Sequence, residues 1–220
     1  MQIRWYGQSA FSLTDGDRTV FIDPFGDMSG AAARGIEFNY PAIEGAGADL
    51  LLITHEHGDH NAAEVIEGAP DVIRSTAGTF GEVVGIASEH DDAAGTVRGP
   101  NTIFVFTLGG ARVAHFGDFG QPALRPEQRA AIGDVDILFL PIGGGPTVGG
   151  DAAAQIVREL APRVVVPMHY RSEAVNFLDP PDAFVDAVGG ATRVESSEFD
   201  PEGHEGVVLL AAPIAEGAGG

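Results

Sequence analysis

Three imidazoles and a carboxylate fall within six residues at His55-Glu56-His57-Gly58-Asp59-His60: His55, His57, Asp59 and His60. Histidine is the commonest metal ligand at neutral pH, and a nearby carboxylate adds charge and a second coordination mode. A solvated turn has no need for three imidazoles in such a short space. The spacing fails the His-Glu-x-x-His pattern of helical zinc proteases, because position 59 is Asp. Three further ligand-type clusters occur downstream. They are Ser88-Glu89-His90-Asp91, His115-Phe116-Gly117-Asp118 and Pro167-Met168-His169-Tyr170. There is no cysteine, so thiolate ligands and disulfides are both ruled out.

These side chains need elements to carry them. The apolar run Asp49–Thr54 reads as a buried strand that ends at the first cluster. Asn61-Ala62-Ala63-Glu64 reads as a helix start with a capping box. The first cluster therefore belongs on the loop after a strand, the usual place for a site in an α/β protein. Gln2–Tyr6, Ala10–Thr14 and Arg18–Asp23 read as short strands, the last two joined at Asp15-Gly16-Asp17. Residues 24–48 are Gly- and Ala-rich and read as a loop able to cover a site. Strands are expected near Asp71–Ser75 and Glu82–Ser88, and Asn101–Leu108 and Ala111–Phe116 flank the hairpin signal Gly109-Gly110. Further strands are expected at Asp136–Pro141, Arg163–Pro167, Ala191–Glu195 and Gly206–Ala211. Helices are expected at Pro126–Ile132, at Asp151–Leu160 with Asp as N-cap, and at Pro181–Val188. His90, His115, Asp118 and His169 all lie at or beyond strand ends.

The 220-residue chain is 44% hydrophobic, enough for one sizeable core. No apolar stretch is long enough to span a bilayer, and the N-terminal residues lack the apolar core of a signal peptide, so a cytoplasmic protein is expected. Twelve basic residues stand against 32 acidic ones, a net charge of −20, and all twelve are Arg. Such a surface repels itself in dilute salt, and the composition resembles that of halophilic, salt-accumulating archaeal proteins. It also opposes nucleic acid, whose binding relies on basic side chains at phosphates. A small-molecule substrate is the expected partner, with no nucleic acid and no membrane, and a homo-oligomer is left open. Gly143–Gly150 lacks the Lys of a phosphate-binding P-loop.

The order His-x-His-x-Asp-His, then His, Asp and His resembles the metallo-β-lactamase superfamily. Trp5–Phe11, Phe21–Phe25, Arg98–Ile103 and His115–Gly120 resemble its ascorbate-6-phosphate lactonase-like branch of metal-dependent hydrolases, whose members commonly carry His where this chain has Gln8. The resemblance implies an α/β fold, the αββα four-layer sandwich, over residues 1–214, with 215–220 as a disordered tail. It also implies two divalent metal ions, with Zn²⁺ the leading expectation and Mn²⁺ the alternative. His55, His57 and His90 would hold the first, and Asp59, His60 and His169 the second, with Asp118 bridging. Whether His90 or His115 completes the first set is open; Asp59 and His115 are the expected catalytic residues, His115 as proton donor or outer-sphere group. Asp23 reads either as an orienting carboxylate or as a turn residue, and Asn101 either as substrate-facing or as a strand start. The implied reaction is cleavage of a lactone, ester or phosphoester by a metal-bridging hydroxide. A nuclease of the transfer-RNA-processing type and a non-catalytic metal-binding module are the competing readings. The iron-dependent flavodiiron relatives carry Glu at the second motif position, where this chain has His57.

Overall fold

A computed structural model describes residues 1–215. Two sheets pack face to face. The first contains β1 (Gln2–Gly7), β2 (Ala10–Asp15), β3 (Arg18–Ile22), β4 (Leu50–Ile53), β5 (Asp71–Arg74) and β13 (Glu198–Phe199), in the order β13-β1-β2-β3-β4-β5. The second contains β6 (Gly78–Phe80), β7 (Val83–Glu89), β8 (Pro100–Leu108), β9 (Ala111–His115), β10 (Ile137–Pro141), β11 (Val164–Met168), β12 (Thr192–Val194) and β14 (Gly206–Leu210). Its order is β12-β14-β11-β10-β9-β8-β7-β6. Three helices, α1 (Pro126–Ile132), α2 (Gly150–Leu160) and α3 (Asp182–Val188), complete the regular structure among the described residues.

Side-chain alternation explains the layering. Phe11 and Leu13, Val20 and Ile22, and Leu50 and Leu52 join the main core with the second sheet and the buried faces of the helices. The intervening Ala10, Phe21, Leu51 and Ile53 point the other way, into a second cluster with Phe25, Tyr40, Ile43, Val175 and Leu178. The long segment 24–48 therefore covers the outer face of the first sheet with loop and one 3₁₀ turn (Ser29–Arg34). On the far side α2 supplies Ala153, Ala154, Ile156 and Leu160, the spacing of a helical apolar stripe.

Three local expectations change. Asn61–Glu64 starts no α-helix; only a 3₁₀ turn at Ala63–Val65 forms. The Asn61 amide donates to Glu56 O at 3.1 Å instead of capping, and Gly68 and Pro70 follow too soon to let a helix nucleate. Helix α2 begins one residue early, with Gly149 as N-cap, and Asp151 lies in the first turn, where it still meets the positive end of the helix dipole. The edge strands β6 and β13 are short and mostly exposed, so no hydrophobic period announced them. Residues 216–220 of the expected tail lie outside the described residues.

The topology gathers the strand ends. β9, β10 and β11 are parallel, and β7 and β9 are both antiparallel to β8, so β7, β9 and β11 all finish at one edge of the second sheet. His90, Asp118 and His169 follow those three ends. The loop after β4, a fully buried strand flanked in parallel by β3 and β5, delivers His55–His60 from the facing sheet.

Candidate metal centre

Seven residues from the two sheets converge. Ligand atoms of His55, His57 and His90 lie within 4.8 Å of one another, as do those of His55, His60 and Asp118, and those of Asp59, His60 and His169. The His55 ring lies 4.2 Å from that of His60, 4.6 Å from His57 and 4.8 Å from His90, centroid to centroid. Asp118 sits at the centre. Its Oδ2 is 3.4 Å from His60 Nε2 and 3.2 Å from both His90 Nε2 and His169 Nε2. All are buried except His57, the least buried of the five imidazoles, and Asp59.

The surrounding hydrogen bonds set the tautomers. Asp23 accepts from the Thr54 backbone N–H and hydroxyl, both at 2.7 Å, and from His60 Nδ1–H at 3.1 Å. With its proton committed to Asp23, the Thr54 hydroxyl accepts from His55 Nδ1–H at 3.0 Å. His90 Nδ1–H donates to Pro146 O at 2.8 Å. Three rings are thus protonated on the outer nitrogen and present the Nε2 lone pair inward, the arrangement seen around metal-bound imidazoles. Asp23 reaches its position through a left-handed backbone, φ 49°, and is fully buried. It therefore orients a cluster histidine and is more than a turn residue.

The donor set fits divalent cations. Inward lone pairs facing one another, as at His55 Nε2 and His57 Nδ1, 3.0 Å apart, need a cation or a proton between them. His60 Nε2 is buried without a hydrogen-bond partner among the described residues. Electrostatics agree: burial would push the His60 imidazole down, but the charges of Asp118 and Asp59 hold it well above its usual value. Burial likewise opposes the ionised form of Asp118, yet His169 and His60 keep its carboxyl well below the ordinary range. The pocket favours positive charge on His60 beside an ionised Asp118 carboxylate. His55 is pushed down by burial and by the neighbouring His60, which favours its neutral form.

The outer residues divide differently from expectation. His115 is not among the converging groups. Its Nε2–H donates to Ser9 O at 3.0 Å, its Nδ1 accepts from Gly117 N–H at 3.2 Å, and its ring packs against Phe11 and Phe139. Burial lowers its pKa to about 4. Gly117, φ 54°, turns the chain so that His115 faces the core while Asp118 enters the cluster. A side chain there would meet Asn101 Oδ1 at 2.5 Å and Thr54 Oγ1 at 2.6 Å. Asn101 is spent on this turn. Its amide donates to Ser88 Oγ and Phe116 O, both at 2.8 Å, and its Oδ1 accepts from Asp118 N–H at 3.1 Å, leaving nothing for a substrate. Glu56, the motif residue outside the cluster, pairs with Arg74 at 2.8 Å and accepts from Ser75 Oγ at 2.6 Å, tying the motif loop to β5. Gly143 serves close approach: a Cβ there would collide with His169 O. His204 packs its ring on Phe199, remote from the site.

Sequence reasoning missed Ser9, whose hydroxyl donates to Asp118 Oδ1 at 3.2 Å, and Thr54. A hydroxyl beside a motif is too common to single out without the fold.

Comparison with known proteins agrees with this geometry. The family model described as "Beta-lactamase superfamily domain" matches residues 2–169, ending on the last clustered histidine. A UPF0173 metal-dependent hydrolase from Methylobacterium nodulans is 34% identical over 87% of this chain and 93% of its own length. This chain belongs to the metallo-β-lactamase superfamily, in the UPF0173 family. A second family member, from Thermococcus kodakarensis, is 31% identical over 88% of this chain and 95% of its own length. Among solved structures, a metallo-β-lactamase-superfamily protein from Thermotoga maritima superposes with a TM-score of 0.77 at 28% identity, covering 96% of this chain and 98% of that one. The two-sheet architecture of this family is the one expected for the αββα sandwich.

Proposed function

We propose that this protein is a binuclear metal-dependent hydrolase of a small molecule carrying a lactone, ester or phosphoester bond. The observation that carries the reading is the convergence of five imidazoles and two carboxylates, with Oδ2 of the buried Asp118 within 3.4 Å of His90 on one side and of His60 and His169 on the other. His55, His57 and His90 would hold one ion, Asp59, His60 and His169 the other, and Asp118 would face both. Five imidazoles favour Zn²⁺ over harder ions, with Mn²⁺ the alternative. Bound divalent ions supply Lewis acidity and lower the pKa of water toward 7, so no serine or cysteine nucleophile is needed.

The chain's own residues supply orientation and proton control. Asp23, Thr54 and Pro146 O accept the outer protons of His60, His55 and His90, fixing the orientation of those rings. Ser9 fixes the rotation of Asp118. Asp59 is the clustered carboxylate that reaches solvent, side chain 23% exposed, and is the group placed to carry a proton to and from a substrate. His115, with both nitrogens occupied by backbone, supports the site by holding Ser9. The relatives' designation as metal-dependent hydrolases, and that of the Thermotoga maritima neighbour as a candidate Zn-dependent hydrolase, support the same reaction class. The lactonase-like branch is the subgroup we favour from the N-terminal and His115–Gly120 motifs. The chain's −20 charge weighs against a transfer-RNA substrate. Among the described residues no helix is long and apolar enough to cross a membrane.

The test is elemental analysis of protein purified without chelator, followed by turnover on a lactone, an aryl ester and an aryl phosphodiester before and after chelation. Two ions per chain and hydrolysis lost with chelator and restored by Zn²⁺ or Mn²⁺ are expected. A protein that holds two ions and cleaves none of these would be a binding module instead.

A further inference from the structure

Arg98 stands beside the metal cluster on a loop built around one carboxylate. Asp91, the residue after His90, accepts four backbone N–H groups. Those of Ala93 and Gly95 reach Oδ1, each at 2.8 Å, and those of Val97 and Arg98 reach Oδ2 at 3.0 and 2.7 Å. His90 N–H closes the loop by donating to Gly99 O at 3.1 Å. The backbone of Arg98 is therefore held at a set distance from a cluster histidine, while its side chain remains exposed. Among the described residues its guanidinium makes no ion pair and no hydrogen bond; Arg98 bonds only through its backbone N–H.

The position of that guanidinium gives it a use. Arg98, His55, His57 and Thr102 line one cavity of about 150 Å³. Arg98 also lines a second hollow of about 430 Å³, together with Thr147 and Gly149. It thus stands between the clustered histidines and a space large enough for the rest of a small substrate. The other arginine near the motif, Arg74, is committed to Glu56 through two hydrogen bonds at 3.0 and 2.8 Å. A surface carrying −20 repels anions at long range. An anionic ligand would therefore depend on a local cation, and guanidinium is the group that matches a carboxylate or phosphate with two parallel hydrogen bonds.

We propose that Arg98 binds a carboxylate or phosphate carried by the substrate away from the bond that is cleaved, so that the site selects anionic small molecules. This rests on the hydrolase reading above. The test compares the metal-loaded wild type with Arg98→Gln, Arg98→Lys and the charge-matched control Arg193→Gln, which changes an exposed arginine on β12. Metal content and melting temperature are recorded for each. The substrates are 4-nitrophenyl acetate, which is neutral, and mono-4-nitrophenyl succinate, whose free carboxylate lies away from the ester. Loss of one charge-assisted contact predicts a KM for the succinate ester about tenfold higher in Arg98→Gln. The acetate KM, both kcat values and the metal content should stay unchanged, Arg98→Lys should recover part of the loss, and Arg193→Gln should behave as wild type. An equal change for both esters, or none beyond the control, overturns the proposal. If the wild type cleaves neither ester, the hydrolase reading stands or falls on the lactone and phosphodiester assays above. Calorimetric titration with phenylphosphonate then decides on Arg98: a dissociation constant about tenfold weaker in Arg98→Gln than in Arg193→Gln supports the anion subsite, and equal constants refute it.

Discussion

Ser9 and Asp118, 109 positions apart, meet through a buried hydrogen bond of 3.2 Å that divides the carboxylate's two oxygens. Oδ1 accepts the hydroxyl of Ser9, and Oδ2 faces three imidazoles. Ser9→Ala should leave Asp118 present but free to rotate, and Ser9→Thr should restore the bond. Removing such an outer partner typically lowers metal affinity about 10- to 100-fold. Competition with a chromophoric chelator would measure it, with Asp118→Ala as the extreme case holding fewer than two ions. Ser9→Ala with unchanged affinity would show that the bond does not position the carboxylate.

Asp23 takes hydrogen bonds from both the Thr54 backbone and the His60 ring, so it links the end of β4 to the cluster. Asp23→Ala should weaken the ion near His60 about 10- to 100-fold and also lower stability, since Thr54 N–H is left buried. Asp23→Asn, which still accepts from Thr54, should recover stability more than metal affinity. Thermal melts of the chelated proteins separate the two effects.

His115→Leu should cost about 1–3 kcal/mol of stability, because Ser9 O and Gly117 N–H would lose their partner in a dry environment. Its metal content should stay at the wild-type value. Denaturant unfolding of chelated protein and elemental analysis of loaded protein check the two halves. Loss of an ion would return His115 to the ligand set.

Arg74, by hydrogen bonding, is the main cause that holds the Glu56 carboxyl at about 2, against an ordinary value near 4.5. A carboxylate with a depressed folded-state pKa stabilises the fold above its unfolded pKa and loses that contribution as pH falls through the folded one. The stability difference between wild type and Glu56→Gln should therefore be full at neutral pH and shrink from about pH 4.5 toward pH 2. The pair is half exposed, so screening keeps the effect small. Paired denaturation curves across that window measure it; a difference that grows on acidification would contradict the assignment.

Salt should raise the melting temperature. The −20 charge repels itself, and molar KCl shortens the screening length to about 3 Å. Melts at low and molar KCl test the halophilic reading, which a flat response would remove.

The sequence by itself determined the ligand types and most of the strands that bear them. Hydrophobic runs and alternation are local, and they announced β4, β8 to β11 and helix α1 because burial acts on each residue where it stands. The compact motif at 55–60 was equally legible, since its residues are neighbours in the chain. Only tertiary structure decided between His90 and His115 at the centre. Both follow or end strands of the same sheet, but the His115 ring turns into the core onto Ser9 O, whereas His90 Nε2 comes within 3.2 Å of Asp118 Oδ2. It also decided that Asn101 and Ser9 serve Asp118, that segment 24–48 packs under the first sheet, and that the Arg98 guanidinium has no protein partner among the described residues. Those facts depend on which distant groups arrive to satisfy a lone pair or a proton, and spacing along the chain does not encode that arrival.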